Sequence, residues 1–209
     1  MIKDKIPSSI HKDLYHTLFE SHLSYGITVW GGASNNKLQP LFVAQKKCVR
    51  IMFGDKKAYL DKFMTCARTR PISEQKLTSK FFEREHTKPI FARQSLMTLH
   101  NLYAYHCCNE LFKVFKYRTP IALFELFCLS KRPGKETLLI TTMPSNSFVY
   151  KSSCLWNSFR QMLALNDLEI THGVFKSKVK KVILSSQGKG DKNTWAPLAN
   201  FLNSGSLNN

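Results

Sequence analysis

A mainly helical fold is what this sequence predicts, with one short β-hairpin and a flexible C-terminal tail. Three observations lead there. Apolar residues recur at spacings of three and four through most of the chain, the pattern of one helix face. Stop signals such as Gly26 and Gly54 close those periodic stretches. Strand-like character is confined to the region near 138–150. With 209 residues, the chain is long enough to bury a sizeable core, in one domain or two small ones.

From His11, the positions Leu14, Tyr15, Leu18, Phe19 and Leu23 share one broad face, so a first helix runs to about Gly26. A second follows Ser34-Asn35-Asn36, where a polar cap and the early Pro40 both suit a helix start, and it stops at Gly54. At about 100° per residue, Leu38, Leu41, Phe42, Gln45, Cys48, Val49 and Met52 fall on one side and Lys46, Lys47 and Arg50 on the other. Residues 55–94 are punctuated by Pro71, Pro89 and a mixed-charge run, which marks a connector with at most a short helix. A long, largely buried helix then takes in Leu96, Leu99, Leu102, Tyr103, His106, Leu111, Phe112 and Phe115.

Thr119-Pro120 reads as cap and first residue of a short helix through Phe127. Leu138–Thr142 and Phe148–Tyr150 flank the turn-forming run 143–147 and read as two short strands, in a hairpin or a loop. Trp156, Phe159, Met162 and Leu163 mark another helix. Phe175, Val179, Val182 and Ile183 mark the last, with Lys176, Lys180 and Lys181 on its other faces. Ser, Gly and Asn after Ser185 predict the flexible tail. The divisions this suggests are a helical hairpin over 1–60, a helical region over 61–186 and a tail over 187–209.

The charge narrows the partners. A formal net charge of +17 and a pI near 9.8 attract polyanions. The charge is spread evenly, +9 over residues 1–105 and +8 over 106–209, which points to a broad binding face rather than a basic tail. No apolar segment follows the charged opening Met1-Ile2-Lys3-Asp4-Lys5, and no run approaches the roughly 18 apolar residues of a membrane span. The six cysteines form neither Cys-x-x-Cys pairs nor a short-chain disulfide framework and read as reduced thiols. The expected location is the cytoplasm or the nucleus, with no membrane partner.

Catalytic patterns do not emerge. The aspartates Asp4, Asp13, Asp55, Asp61, Asp167 and Asp191 stand singly, and Asp167 with Glu169 reads as a solvated acidic turn. His100, His106, Cys107 and Cys108 cluster, but adjacent His106 and Cys107 point about 100° apart, whereas zinc sites favour spaced ligands. Gly188-Lys189-Gly190 lacks the spacing of a phosphate-binding loop, and no Gly-x-Ser-x-Gly elbow exists. No metal site and no cofactor is expected in this chain. Tyr25, Trp30 and Trp156 could stack on bases, although packing of turns into the core is the favoured reading. Gln45 reads as a buried amide bonded to backbone.

The segment LYHTLFESHLSYGITVWG, with Tyr25-Gly26 and Trp30-Gly31, followed by LQPLFVAQKKCVRIMFG, with Gln45 to Arg50, resembles the region after the catalytic palm in reverse transcriptases of LINE-type, jockey-like non-LTR retrotransposons. Lys88-Pro89-Ile90-Phe91, Leu96 to Tyr105, Thr119-Pro120, Leu155-Trp156-Asn157 and Val174-Phe175-Lys176 continue the resemblance in order, over roughly residues 10–185. The resemblance implies a thumb-like helical hairpin at the start. It also implies a non-catalytic part of an RNA-directed DNA polymerase, carried on a truncated or partial reading frame, that grips template RNA and primer duplex by the backbone. The partners would be RNA, DNA and the missing palm and fingers. Divalent metal is implied only for that palm, whose paired aspartates have no counterpart here. Lys46, Lys47, Arg50, Lys176, Lys180 and Lys181 are the expected grip, and Tyr25, Gly26, Trp30, Gly31, Gln45, Trp156, Asn157 and Phe175 the structural signature. The alternative is a domesticated or decayed remnant that binds protein through the Leu96–Phe115 surface.

Overall fold

The computed structural model describes residues 7–54, 87–129, 139–140, 143–144, 147–163 and 170–187. These residues are mainly helical. The chain forms two compact units, one of Met1–His22 with Gln39–Leu96, the other of Leu23–Leu38 with Met97–Asn209. The division expected near residue 60, the connector up to residue 86, the Asp167–Glu169 turn and the tail from 188 onward lie outside the described residues.

In the first unit, helix α1 (Ser8–Leu14) runs into a π-helical segment (Tyr15–Glu20), followed by the short α2 (Ser21–Ser24). The wider π winding, with its i→i+5 bonds, replaces the uniform α-helical face expected from the sequence. His11 and Tyr15 are buried, while Leu18, expected inside, is 65% exposed. Tyr15 is the centre of this packing. Its ring meets Phe53 edge-on at 6.0 Å and Phe19 at 5.6 Å.

Helix α4 (Asn35–Phe53) follows the short α3 (Ile27–Trp30) and admits Pro40 inside its second turn. Its buried stripe is Leu38, Phe42, Gln45, Val49 and Phe53. The expected stripe was centred too far round the wheel. Phe42, Gln45, Val49 and Phe53 occupy an arc of about 80°, which leaves Met52 half-buried at its margin and both Leu41, 40% exposed, and Cys48, half-buried, outside it. Helix α5 (Lys88–Gln94) closes the unit, and Arg93 donates from Nη2 to the Phe53 carbonyl at 3.1 Å.

The second unit is built on α6 (Leu99–Tyr117), which packs against α3, α7 (Ile121–Phe124), α8 (Phe148–Leu163) and α9 (His172–Gln187). Buried residues lie all round it, including Leu99, Leu102, Tyr103, Cys107, Cys108, Leu111, Phe112 and Val114. The sequence pattern ran this helix back through Leu96. The chain instead turns at Ser95, in the left-handed region at φ 53°, and restarts where the Thr98 hydroxyl accepts from the Asn101 amide at 3.4 Å. That cap supplies a partner for an amide at the helix start, which the apolar spacing could not register. Asn101 is itself buried and donates to Gln187 of α9 at 2.6 Å.

Two further expectations are corrected. Thr119 caps nothing: the N-cap position of α7 is Pro120, the Thr119–Pro120 bond is cis, and the helix ends at Phe124 rather than Phe127. The β-hairpin expected between Leu138–Thr142 and Phe148–Tyr150 does not form. Strand β1 (Cys128–Leu129) pairs antiparallel with β2 (Leu139–Ile140), with Cys128 opposite Ile140. Phe148–Tyr150 opens α8 because Ser147 accepts the Tyr150 amide at 3.1 Å, a helix-start bond that three residues of apparent alternation could not reveal. Among the described residues, no helix is long and apolar enough to cross a membrane.

Candidate nucleic-acid interface

Basic side chains on helices that carry no carboxylate define two faces, one in each unit. On α4, Lys46, Lys47 and Arg50 share a helix that contains no Asp or Glu. Lys47 is exposed, while Lys46 and Arg50 are half-buried. Lys46 does not stand opposite the core as expected, because it lies only about 40° beyond Phe42 on the wheel. Its Nζ sits 4.4 Å over the Phe42 ring, an arrangement that favours the cation. Partial burial, and then the guanidinium of Arg50 one turn on, hold the Lys46 ammonium below the usual lysine range. An anion placed here would relieve that like-charge crowding.

On α9, Phe175, Val179 and Ile183 face the core at successive spacings of four. The remaining arc carries Lys176, Lys178, Lys180 and Lys181, all exposed, and again no acid. Lys178 was not among the expected grip residues. It lies between them in sequence and turns toward solvent for the same reason.

The signature residues divide into architecture and surface. Gly26 is left-handed, at φ 60°, and lets the chain reverse before α3. Trp30 closes the same turn by donating from Nε1 to the Tyr25 carbonyl at 2.8 Å. Tyr25 itself is 86% exposed, against the expectation that it would pack the turn inward. Gly31 is pinned: a Cβ there would lie 2.5 Å from the Ile27 carbonyl oxygen and 2.6 Å from Cδ2 of Tyr103. Beside it, Lys151 of α8 donates to the Gly32 carbonyl.

Gln45 is fully buried, as expected, and its amide donates to the Tyr15 hydroxyl at 2.9 Å. Burial is the main reason the Tyr15 phenol titrates well above the usual range. Trp156 is buried among Phe115 at 5.4 Å and Phe175 at 6.0 Å, so it offers no stacking surface. Phe175 stacks on Phe112 at 4.2 Å, and Asn157 is half-buried.

Cys48, Cys107, Cys108 and Cys154 are free thiols. Among the described residues, no three of His, Cys, Asp and Glu come together as a metal-holding group. Burial pushes the Cys107 thiol up to about 12 and Cys108 well above its ordinary value, so neither is a nucleophile at neutral pH. No family model, curated protein or solved structure matches the chain.

Proposed function

We propose that this chain is a non-catalytic nucleic-acid-binding region that corresponds to the thumb and post-palm part of a LINE-type reverse transcriptase. One observation carries the reading: α4 and α9 each bury an apolar stripe and turn only basic charge outward, with no carboxylate on either helix. Side chains of this kind bind phosphates through charge, not base identity. The ordered resemblance over roughly residues 10–185 supports the parentage. The partners are then template RNA and primer duplex, with chemistry left to a palm and fingers that carry the metal-binding aspartates.

The alternative, a protein-interaction module working through the central helix, needs an open apolar face there. Helix α6 has buried residues on every side, so that observation does not favour it.

A salt titration tests the proposal. RNA and DNA affinity should fall steeply between low and physiological salt, with weak sequence preference, since each neutralised phosphate contributes about 0.7 to 0.9 to the log–log slope. A flat dependence would refute it. The purified chain should also extend no primer with magnesium or manganese, and template-dependent incorporation would overturn the non-catalytic assignment.

A further inference from the structure

Phe112 of α6 organises a further basic group, of which the sequence pattern singled out only Lys176 as a grip residue. The His172 ring stacks on Phe112 at 5.7 Å, nearly parallel at 12°. The Lys116 Nζ lies 5.5 Å from the centre of the same ring and donates to the Ile170 carbonyl at 2.6 Å, just ahead of α9. Lys113 sits one turn before Lys116 on α6, and Lys176 one turn after His172 on α9. The two helices therefore bring three lysines and a histidine together at the start of α9. His106 faces the same charges from α6. The acid in this group is Glu110, which pairs with Lys113 at 2.8 Å. After burial, Lys176, Lys113 and Lys116 all act to hold His172 neutral, while Glu110 acts the other way. Lys176 and Lys113 act likewise on His106, against Glu110.

From this convergence, we infer that Lys113, Lys116, His172 and Lys176 form a phosphate-binding site for the backbone of a nucleic acid, with Glu110 as its built-in counter-charge. The inference rests on the nucleic-acid reading above and names a site separate from Lys180 and Lys181 further along α9. A phosphodiester seated here would replace Glu110 as the partner of Lys113 and would draw a proton onto His172, adding a second kind of donor to the lysines.

The experiment compares binding of a short RNA duplex by the full chain and three variants. Glu110→Gln should tighten binding roughly three- to tenfold, because it removes the competing carboxylate; such a gain cannot come from misfolding. Lys113→Gln with Lys176→Gln should weaken binding and reduce the salt slope by about one to two units. Lys180→Gln with Lys181→Gln serves as the comparison on the same helix. In the wild type, RNA should also shift the His172 ring titration upward, as read from its imidazole proton resonances.

If the wild type binds RNA but Glu110→Gln and the Lys113/Lys176 variant bind with unaltered affinity and slope, the site is wrong and the general reading survives. If the wild type binds no RNA at all, both fall. Uptake by phosphatidylserine vesicles that RNA does not compete away would also overturn the site.

Discussion

Gly31 and Gly26 stand five residues apart and answer to different constraints. At Gly31 the obstacle is space, since backbone and the Tyr103 ring occupy the position of a side chain. Gly31→Ala should therefore lower stability by about 1–3 kcal/mol, the usual range for overpacking. At Gly26 the obstacle is the left-handed backbone, for the nearest atom to a built Cβ is 3.8 Å away. Gly26→Ala should cost about 1 kcal/mol. Urea denaturation of both variants checks the order, and a Gly31→Ala protein as stable as wild type would contradict the packing. Gln45 and Tyr15 form the second residue-scale unit. Losing either partner leaves a polar group stranded in the core, at about 1–3 kcal/mol. Tyr15→Phe with Gln45→Leu should cost clearly less than the sum of the single changes, and a strictly additive cycle would show that the two groups are uncoupled.

At the scale of elements, α4 separates core from surface sharply enough to be tested. Val49 is fully buried and Leu41 is 40% exposed. Val49→Ala should cost about 1.5–3 kcal/mol, whereas Leu41→Ala should cost well under the roughly 2–5 kcal/mol of a buried leucine. Equal losses in thermal unfolding would mean that the helix is rotated. Replacing Lys46, Lys47 and Arg50 together by Gln should weaken RNA binding and reduce the salt slope by roughly one unit for each phosphate no longer held. Stability should fall slightly more than for an ordinary surface triple, because Lys46 leaves the Phe42 ring. Unchanged affinity and slope would dismiss this helix as a grip. The length and stop of α4 were legible in its periodicity and in Gly54, and so was the presence of a basic face. Its rotation was not, since Leu38, Leu41 and Met52 are all apolar and only the contact of Gln45 with Tyr15 shows which arc is covered.

Across the whole molecule, stability should be bounded on both sides of neutrality. His100, His106 and His172 titrate below the ordinary histidine value, first because of burial. A histidine lowered in the folded state contributes stability above its unfolded value of about 6.5, and that stability is lost as the pH falls. Cys107 and Cys108 are raised, again by burial. Their contribution is complete below the unfolded thiol value of about 8.5 and declines as the pH rises through it. Thermal midpoints measured in reductant should peak between about pH 6.5 and about pH 8.5 and fall on either side. A midpoint that stays level up to about pH 10.5 would show that the buried thiols are not protected as the structure has them.

The amino-acid order by itself determined the helical class, the even basic charge, the existence and approximate limits of the long helices, and the lack of an aspartate pair. Each of these is a local or additive property, so periodicity and counting suffice. Only the tertiary structure decided that Leu18 and Leu41 face outward, that Tyr25 is exposed while Trp156 is buried, and that Leu139–Ile140 pairs with Cys128–Leu129. It also brought Lys116 and His172 together on the Phe112 ring. Those outcomes depend on which surfaces meet, and residues more than fifty positions apart carry no mark of their neighbours until the helices between them have packed.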